Sequence, residues 1–130
     1  MDVDALESSL GLTAAVARFE DLRIRDSLAD PDGGPPGLSR AEALELLALG
    51  EVIARKVGYG RQLTVRSART AGASWAEIGT ALGTTRQSAW EGHRRWIDGQ
   101  AAQHGTPGQI GFDAAEASAA RELAGLPDGD

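Results

Sequence analysis

The stretch SWAEIGTALGTTRQSAW, residues 74–90, restricts the fold more than any other part of the 130-residue chain. Ser74 precedes an apolar run and has Glu77 three residues later, which is the pattern of a capping box at a helix start. Gly83 then interrupts the run, and glycine takes the left-handed conformation of a tight turn between helices at no steric cost. Thr85 is placed to cap the next helix. The sequence therefore predicts two helices joined by a tight turn, over residues 75–82 and 86 to about 97.

The N-terminal segment, residues 4–29, is also predicted to be helical. One apolar stripe at 3.6-residue periodicity contains Leu6, Leu10, Ala17, Ile24 and Leu28, and a second contains Leu12, Val16 and Phe19. A helix that is apolar on two sides needs two partners, so one side is expected to face its own domain and the other a second subunit. Gly11 offers the alternative that the segment is split into two helices.

Two further boundaries follow from glycine and proline. The segment DPDGGPPG, residues 30–37, excludes regular structure and marks a linker. Ser39 and Glu42 then form a second capping box, and the helix that they begin is expected to reach about Val57. Gly-Tyr-Gly at 58–60 is expected to break or kink this helix. A further helix, from about residue 62 to residue 71, is expected to end at Gly72.

Near the C-terminus, residues 113–126 are alanine-rich and have a weak capping box in Asp113 and Glu116, but little to bury. No stretch alternates in the manner of a strand, so the predicted class is all-α. The expected organisation is a helix for packing or dimerisation at 1–29, a linker at 30–38, a helix-turn-helix domain at 39–98, and a flexible acidic tail with at most a short helix at 99–130.

The charge of the chain is segregated. Its net charge is −6, yet residues 55–97 contain eight basic residues and only two acids, Glu77 and Glu91. This segment therefore carries +6, and the rest of the chain carries −12. Charges are screened over about 8 Å at physiological salt, so acidic ends can coexist with a basic face. A basic island of this kind is typical of a nucleic-acid contact surface.

Several other classes of protein are disfavoured. The chain has no cysteine and only two histidines, His93 and His104, so neither disulfides nor a metal site are expected and a reducing cytoplasm fits. No apolar run approaches the roughly 20 residues of a membrane span, and no signal-peptide pattern is present. No phosphate-binding loop or nucleophile elbow occurs. We therefore expect a cytoplasmic, nucleoid-associated protein that is not an enzyme and binds no cofactor.

The stretch ARTAGASWAEIGTALGTTRQSAW resembles the helix-turn-helix of many small actinobacterial DNA-binding proteins and, more distantly, region 4 of sigma factors. The resemblance covers residues 66–97, about a quarter of the chain. It implies a transcription-regulator-like module whose second helix is presented to the major groove. Gly92 departs from the pattern, because such motifs place a large aliphatic residue there. Either Trp96 and His93 fill that space, or the second helix is bent or short.

A helical wheel of the second helix turns Ala89, Gly92 and Trp96 inward. The residues expected to read bases are Thr85, Arg86, Gln87, Trp90 and Glu91. Arginine can pair bidentately with guanine and glutamine with adenine, and glutamate can accept from cytosine, each contact contributing about 1–3 kcal/mol of discrimination. The residues expected to contact phosphates are Arg66, Arg69, Ser74, Arg94 and Arg95. For Trp90, packing under the preceding helix, contact with a thymine methyl group, and contact with a partner stay open.

The sequence thus favours a transcriptional regulator that binds double-stranded DNA sequence-specifically. A homodimer is expected because one recognition helix reads only a few base pairs and two half-sites add affinity and specificity. The alternative is a protein-interaction adaptor, antitoxin-like or sigma-binding, that retains the helix-turn-helix shape without reading DNA. In either case the N-terminal helix or the acidic tail is available to a protein partner.

Overall fold

The structure, a computed structural model, describes residues 2–128 and contains six α-helices and no strand within that range. The helices are α1 (Val3–Ser9), α2 (Leu12–Ser27), α3 (Arg40–Thr70), α4 (Trp75–Leu82), α5 (Arg86–Gln103) and α6 (Ala114–Ala124). The predicted all-α class is confirmed. None of the described helices is both long and apolar enough to cross a bilayer. Met1, in the predicted 1–29 domain, and residues 129–130, in the predicted tail, lie outside the described residues.

The chain divides into two compact units, one up to Tyr59 and one from Gly60 onwards. This division differs from the expected boundary at 30–38, because that segment connects α2 to α3 within the first unit. Leu49 and Val52 of α3 are buried in one cluster with Ala15 and Leu22 of α2. The first half of α3 therefore belongs with the N-terminal helices, and only its second half belongs with α4, α5 and α6.

The N-terminal segment forms two helices, as the alternative reading of Gly11 allows. Leu10 and Gly11 are both extended and separate α1 from α2. Two non-helical residues shift the phase of the helical repeat, so Ile24 and Leu28 do not continue the stripe of Leu6 and are exposed instead. The core face of α2 is formed by Ala15 and Leu22.

The predicted capping box at the start of α3 is present. The Ser39 hydroxyl accepts a hydrogen bond from the Glu42 backbone N–H at 3.1 Å, and the Glu42 carboxylate accepts from the Ser39 backbone N–H at 3.0 Å. The carboxylate also pairs with Arg25 at 2.6 Å. The hydrogen bond from the Ser39 backbone N–H, and after it the one from the Arg25 side chain, lower the pKa of Glu42 to about 2. This helix start is therefore fixed to α2 as well as capped.

The expected break at residues 58–60 is absent, because α3 continues from Arg40 to Thr70 without interruption. A glycine inside a helix costs about 1 kcal/mol relative to alanine but does not block any backbone hydrogen bond. Helix propagation through good helix formers on both sides outweighs that cost. The left-handed glycine comes later, at Gly72, which has a φ of +96°.

Replacing Gly58 or Gly60 with alanine is expected to raise the free energy of unfolding by about 0.5–1 kcal/mol each. A Cβ at either position meets no atom within 4 Å, so the added methyl group favours the helix at no steric cost. Urea denaturation followed by circular dichroism measures this change. Gly72→Ala is the matched control and should destabilise, because its φ is positive. Destabilisation by Gly58→Ala and Gly60→Ala would contradict a continuous α3.

The core of the second unit joins residues from α3, α4, α5 and α6. It contains Val65, Trp75, Ile78, Ala89, Ile97, Ala120 and Ala124. The expectation of a tail with little to bury therefore does not describe α6, which begins at the Asp113–Glu116 capping box and buries three alanines. Because alanine side chains are small, the buried face of α6 can approach the neighbouring helices closely. The loop before α6 is fixed to α5, where the Phe112 backbone N–H donates to the Gln100 carbonyl at 2.9 Å.

Candidate nucleic-acid interface

The α4–α5 pair, residues 74–103, begins at a completed capping box. The Ser74 hydroxyl accepts from the Glu77 backbone N–H at 3.1 Å, and the Glu77 carboxylate accepts from the Ser74 backbone N–H at 3.0 Å. These hydrogen bonds with Ser74 lower the pKa of Glu77. Immediately after the cap, the Trp75 side chain is fully buried. Local hydrogen bonds and core packing therefore fix the same helix end.

The turn between α4 and α5 depends on two glycines for different reasons. Gly83 ends α4 in the left-handed conformation, with φ 71° and ψ 30°. The Thr84 backbone N–H then donates to the Gly79 carbonyl at 2.8 Å. A Cβ on Gly79 would lie 2.9 Å from the Thr84 carbonyl oxygen and 3.0 Å from the Arg86 nitrogen. Gly83 therefore supplies the backbone conformation, and Gly79 supplies the space into which the turn fits.

Gly79→Ala is expected to lower the free energy of unfolding by about 1–3 kcal/mol, because the new methyl group overlaps backbone atoms that cannot move independently. Gly99→Ala is the matched control: it lies within α5, where a Cβ meets nothing within 4 Å, and should stabilise by about 0.5–1 kcal/mol. Chemical denaturation measures both changes. Equal effects of the two substitutions would show that the turn does not approach α4 closely.

The start of α5 is exposed and capped by Thr85. The Thr85 hydroxyl accepts from the Ser88 backbone N–H at 3.0 Å, and residues 85–88 are all exposed. The helix extends to Gln103, beyond the expected end near Ile97. Its first turn is thus open to a large ligand.

The inward face of α5 differs from the predicted one. Ala89, His93 and Ile97 are buried, whereas Gly92 lies at the edge of the buried face and a Cβ there would meet only the Arg95 guanidinium, at 3.7 Å. The position that was expected to hold a large aliphatic residue is therefore not in the core. His93, one residue further along, fills the core, and Trp96 flanks it half-buried. The helix needs no bend to accommodate Gly92.

His93 is a packing residue, as its sequence context suggests. Its side chain is 1% exposed, its Nδ1 lies 2.9 Å from the Gln62 Oε1, and its ring stacks on Trp96 at a centroid distance of 5.3 Å. Burial, with smaller contributions from the positive charges of Arg66 and Arg69, lowers the pKa of His93 to about 4. The imidazole is therefore neutral at physiological pH.

The free energy of unfolding is expected to fall as the pH is lowered from 6.5 to 4.5. The unfolded chain has an ordinary histidine pKa and binds a proton in this range, whereas the folded chain, with a His93 pKa of about 4, does not. Complete titration would cost about 3 kcal/mol. His93→Phe keeps a ring beside Trp96 and should remove most of this slope, measured by urea denaturation at several pH values. A wild-type curve that is flat over this range would contradict the burial of His93.

The residues predicted to read bases separate into two groups. Thr85, Arg86, Gln87 and Glu91 are exposed, and the Gln87 side-chain amide donates to the Glu91 carboxylate at 2.9 Å. Trp90 is half-buried, and its indole N–H donates to the Gly125 carbonyl at 2.8 Å. The structure thus packs Trp90 against the core and gives it an acceptor just after α6, whereas the sequence placed such packing under the preceding helix.

The residues predicted to contact phosphates are also divided. Arg95 is exposed, whereas Arg94 is half-buried with its guanidinium 5.5 Å from the Trp90 ring centroid. Arg66 lies 5.9 Å from the Phe112 ring centroid, and the Ser74 hydroxyl serves the cap of α4. The Arg69 side chain points inward, toward the end of α6.

Sequence reasoning missed the acceptors at the end of α6. The Arg69 guanidinium donates to the Leu123 carbonyl at 3.2 Å, and the Trp75 indole N–H donates to the Ala124 carbonyl at 2.7 Å. With the Trp90 bond to Gly125, three successive carbonyls receive side-chain donors from α3, α4 and α5. Two signals could have indicated this: a buried indole N–H needs an acceptor, and alanines at 117, 120 and 124 have the spacing of one helix face.

Comparison of the chain with protein-family models, with curated protein sequences and with solved structures gives no match. The resemblance of residues 66–97 to actinobacterial helix-turn-helix proteins therefore stays a prediction. The assignment of function depends on the α4–α5 pair and on the chemistry of the side chains that it exposes.

Proposed function

We propose that the protein is a transcriptional regulator that binds double-stranded DNA with the first turns of α5 in the major groove. The observation that carries this proposal is the exposed start of α5, residues 85–88, opposite a buried face that the core fixes. Gly79 and Gly83 set the short turn from α4, which is the connection used by helix-turn-helix proteins. The resemblance of residues 66–97 to such proteins supports the same assignment.

In this proposal Arg86 and Gln87 read base edges. Arg86 pairs with the guanine O6 and N7 acceptors, and Gln87 pairs with adenine, the two commonest bidentate contacts for these side chains. Glu91 accepts a hydrogen bond from the Gln87 amide, so it orients the amide as well as offering an acceptor to cytosine. Thr85 caps the helix and lies at the edge of the contact.

Phosphate contacts are assigned to Arg95 and Arg94, with Arg66 and the Ser74 region at the periphery. Arg95 is the most exposed of these residues, and phosphate contacts of this kind fix the register of a protein on the duplex. Arg69 and Trp90 have structural roles in this assignment, because both donate hydrogen bonds to carbonyls at the end of α6.

The partner in the proposed complex is a second copy of the chain. One α5 spans only a few base pairs, so two copies on adjacent half-sites supply the missing affinity and specificity. The first unit has apolar surface for such an interface: a groove of about 460 Å³ is bordered by Phe19, Leu38, Leu46 and Leu47, and Leu47 is 72% exposed. Arg23 and Asp26 also border the groove, so its rim carries one charge of each sign.

One observation favours the adaptor as a second candidate. Arg86, the principal base-reading cation, is paired with Asp128 of the same chain at 3.2 Å. In an adaptor of the antitoxin-like or sigma-binding type, Arg86 has no base to bind, so it would stay paired with Asp128. Salt separates the two candidates. Counterion release favours DNA binding less as the salt concentration rises, so DNA binding weakens steeply, whereas an apolar protein interface does not.

The decisive experiment is selection of bound fragments from random duplex DNA at two salt concentrations. The proposal predicts enrichment of one sequence containing guanine and adenine in each half-site, arranged as a palindrome, with recovery falling at the higher salt. Enrichment of a single half-site would overturn the homodimer but not DNA binding. Equal recovery of all sequences at both salts would overturn the regulator.

Arg86→Ala and Gln87→Ala are expected to lose about 1–3 kcal/mol of discrimination at one base position each while the unfolding midpoint is unchanged. Both side chains are exposed, so their removal leaves the core intact. Arg40→Ala is the control: it removes one exposed arginine from the start of α3, far along the chain from α5. Fluorescence anisotropy with the selected duplex and its single-base variants measures the effect. Unchanged base preference in both α5 variants would exclude them as readers.

A further inference from the structure

The segment after α6 is held at a defined place on the second unit. Side chains of α3, α4 and α5 donate to the carbonyls of Leu123, Ala124 and Gly125, at 3.2, 2.7 and 2.8 Å. The last four carbonyls of a helix lack partners within it, and here side chains supply donors to carbonyls at the helix end. The chain therefore leaves α6 directly beside Trp90 of α5.

The same segment reaches the start of α5. A carboxylate oxygen of Asp128 lies 3.2 Å from the Arg86 guanidinium. The two side chains are 77% and 57% exposed, so water and salt weaken the pair and it can open readily. This oxygen lies against the same guanidinium that would donate to the O6 and N7 atoms of guanine. Asp128 thus occupies the guanidinium that the proposed function assigns to guanine.

We propose that residues 125–128 form an autoinhibitory strap that places the Asp128 carboxylate against Arg86 at the DNA-reading end of α5. This inference rests on the proposed function and assigns a regulation to the same site. Without DNA, Asp128 holds Arg86. A phosphate or a guanine must displace this tethered carboxylate before it can pair with Arg86. The strap therefore weakens every mode of DNA binding that uses Arg86.

Asp128→Asn tests the strap, with Glu122→Gln as the matched control. Each substitution removes one negative charge from an exposed residue of the second unit, but only the first removes the carboxylate beside Arg86. The probe is a random-sequence duplex at low salt. Asp128→Asn is expected to bind about two- to five-fold more tightly than Glu122→Gln, the range that an exposed ion pair allows. In an Arg86→Ala background the gain should disappear.

Nuclear magnetic resonance gives a readout that does not depend on DNA. The Arg86 Nε–Hε signal should shift in Asp128→Asn and stay in place in Glu122→Gln. Equal affinities of these two variants, or an Arg86 signal that Asp128→Asn does not move, would overturn the strap while leaving DNA binding intact. Failure of every variant to bind any duplex would overturn the proposed function, and the strap with it.

Discussion

The second unit depends on the buried indole of Trp75. Its N–H donates to the Ala124 carbonyl at 2.7 Å, and its ring lies 5.1 Å from the Arg69 guanidinium and 5.6 Å from the His93 ring. One side chain of α4 therefore contacts α3, α5 and α6. Because the indole is fully buried, an unmet N–H would cost about 1–3 kcal/mol, so the position of α6 is tied to that of α4.

The arginines of the basic segment, residues 55–97, have two kinds of role. Some bind other groups of the protein, and others are exposed to a ligand. Arg69 binds carbonyls at the end of α6, and Arg55 pairs with Asp4 and Glu7 of the first unit. Arg86 and Arg95 remain exposed on α5. The net charge of residues 55–97 thus overstates the positive charge that a ligand meets. The field that the proposed DNA complex uses comes from a few guanidinium groups along α5.

Local features could be predicted from the sequence because their causes are local. The caps at Ser39, Ser74 and Thr85 and the left-handed Gly83 each depend on residues within one or two turns, and the structure has all four. The predictions that were wrong concern features that depend on residues far apart in the sequence. Whether Gly58 and Gly60 end α3 depends on the whole 31-residue helix, and whether α6 is buried depends on donors 35 to 54 residues earlier in the chain.

The inward face of α5 illustrates the same limit at the candidate site. A helical wheel cannot distinguish Gly92 from His93 as the core position, since they are adjacent and the choice depends on the rings of Trp75 and Trp96. The exposed residues 85–87 were easier to recognise, because polar side chains after a cap need no distant partner. The sequence therefore locates the candidate interface better than it locates the core beneath it.

The placement of the aromatic residues has a practical consequence. All three tryptophans, Trp75, Trp90 and Trp96, belong to the second unit, and the first unit has none. Tryptophan emission is therefore a reporter of the second unit alone. Far-ultraviolet ellipticity senses both halves, so the two optical signals coincide only where the chain unfolds as one cooperative body.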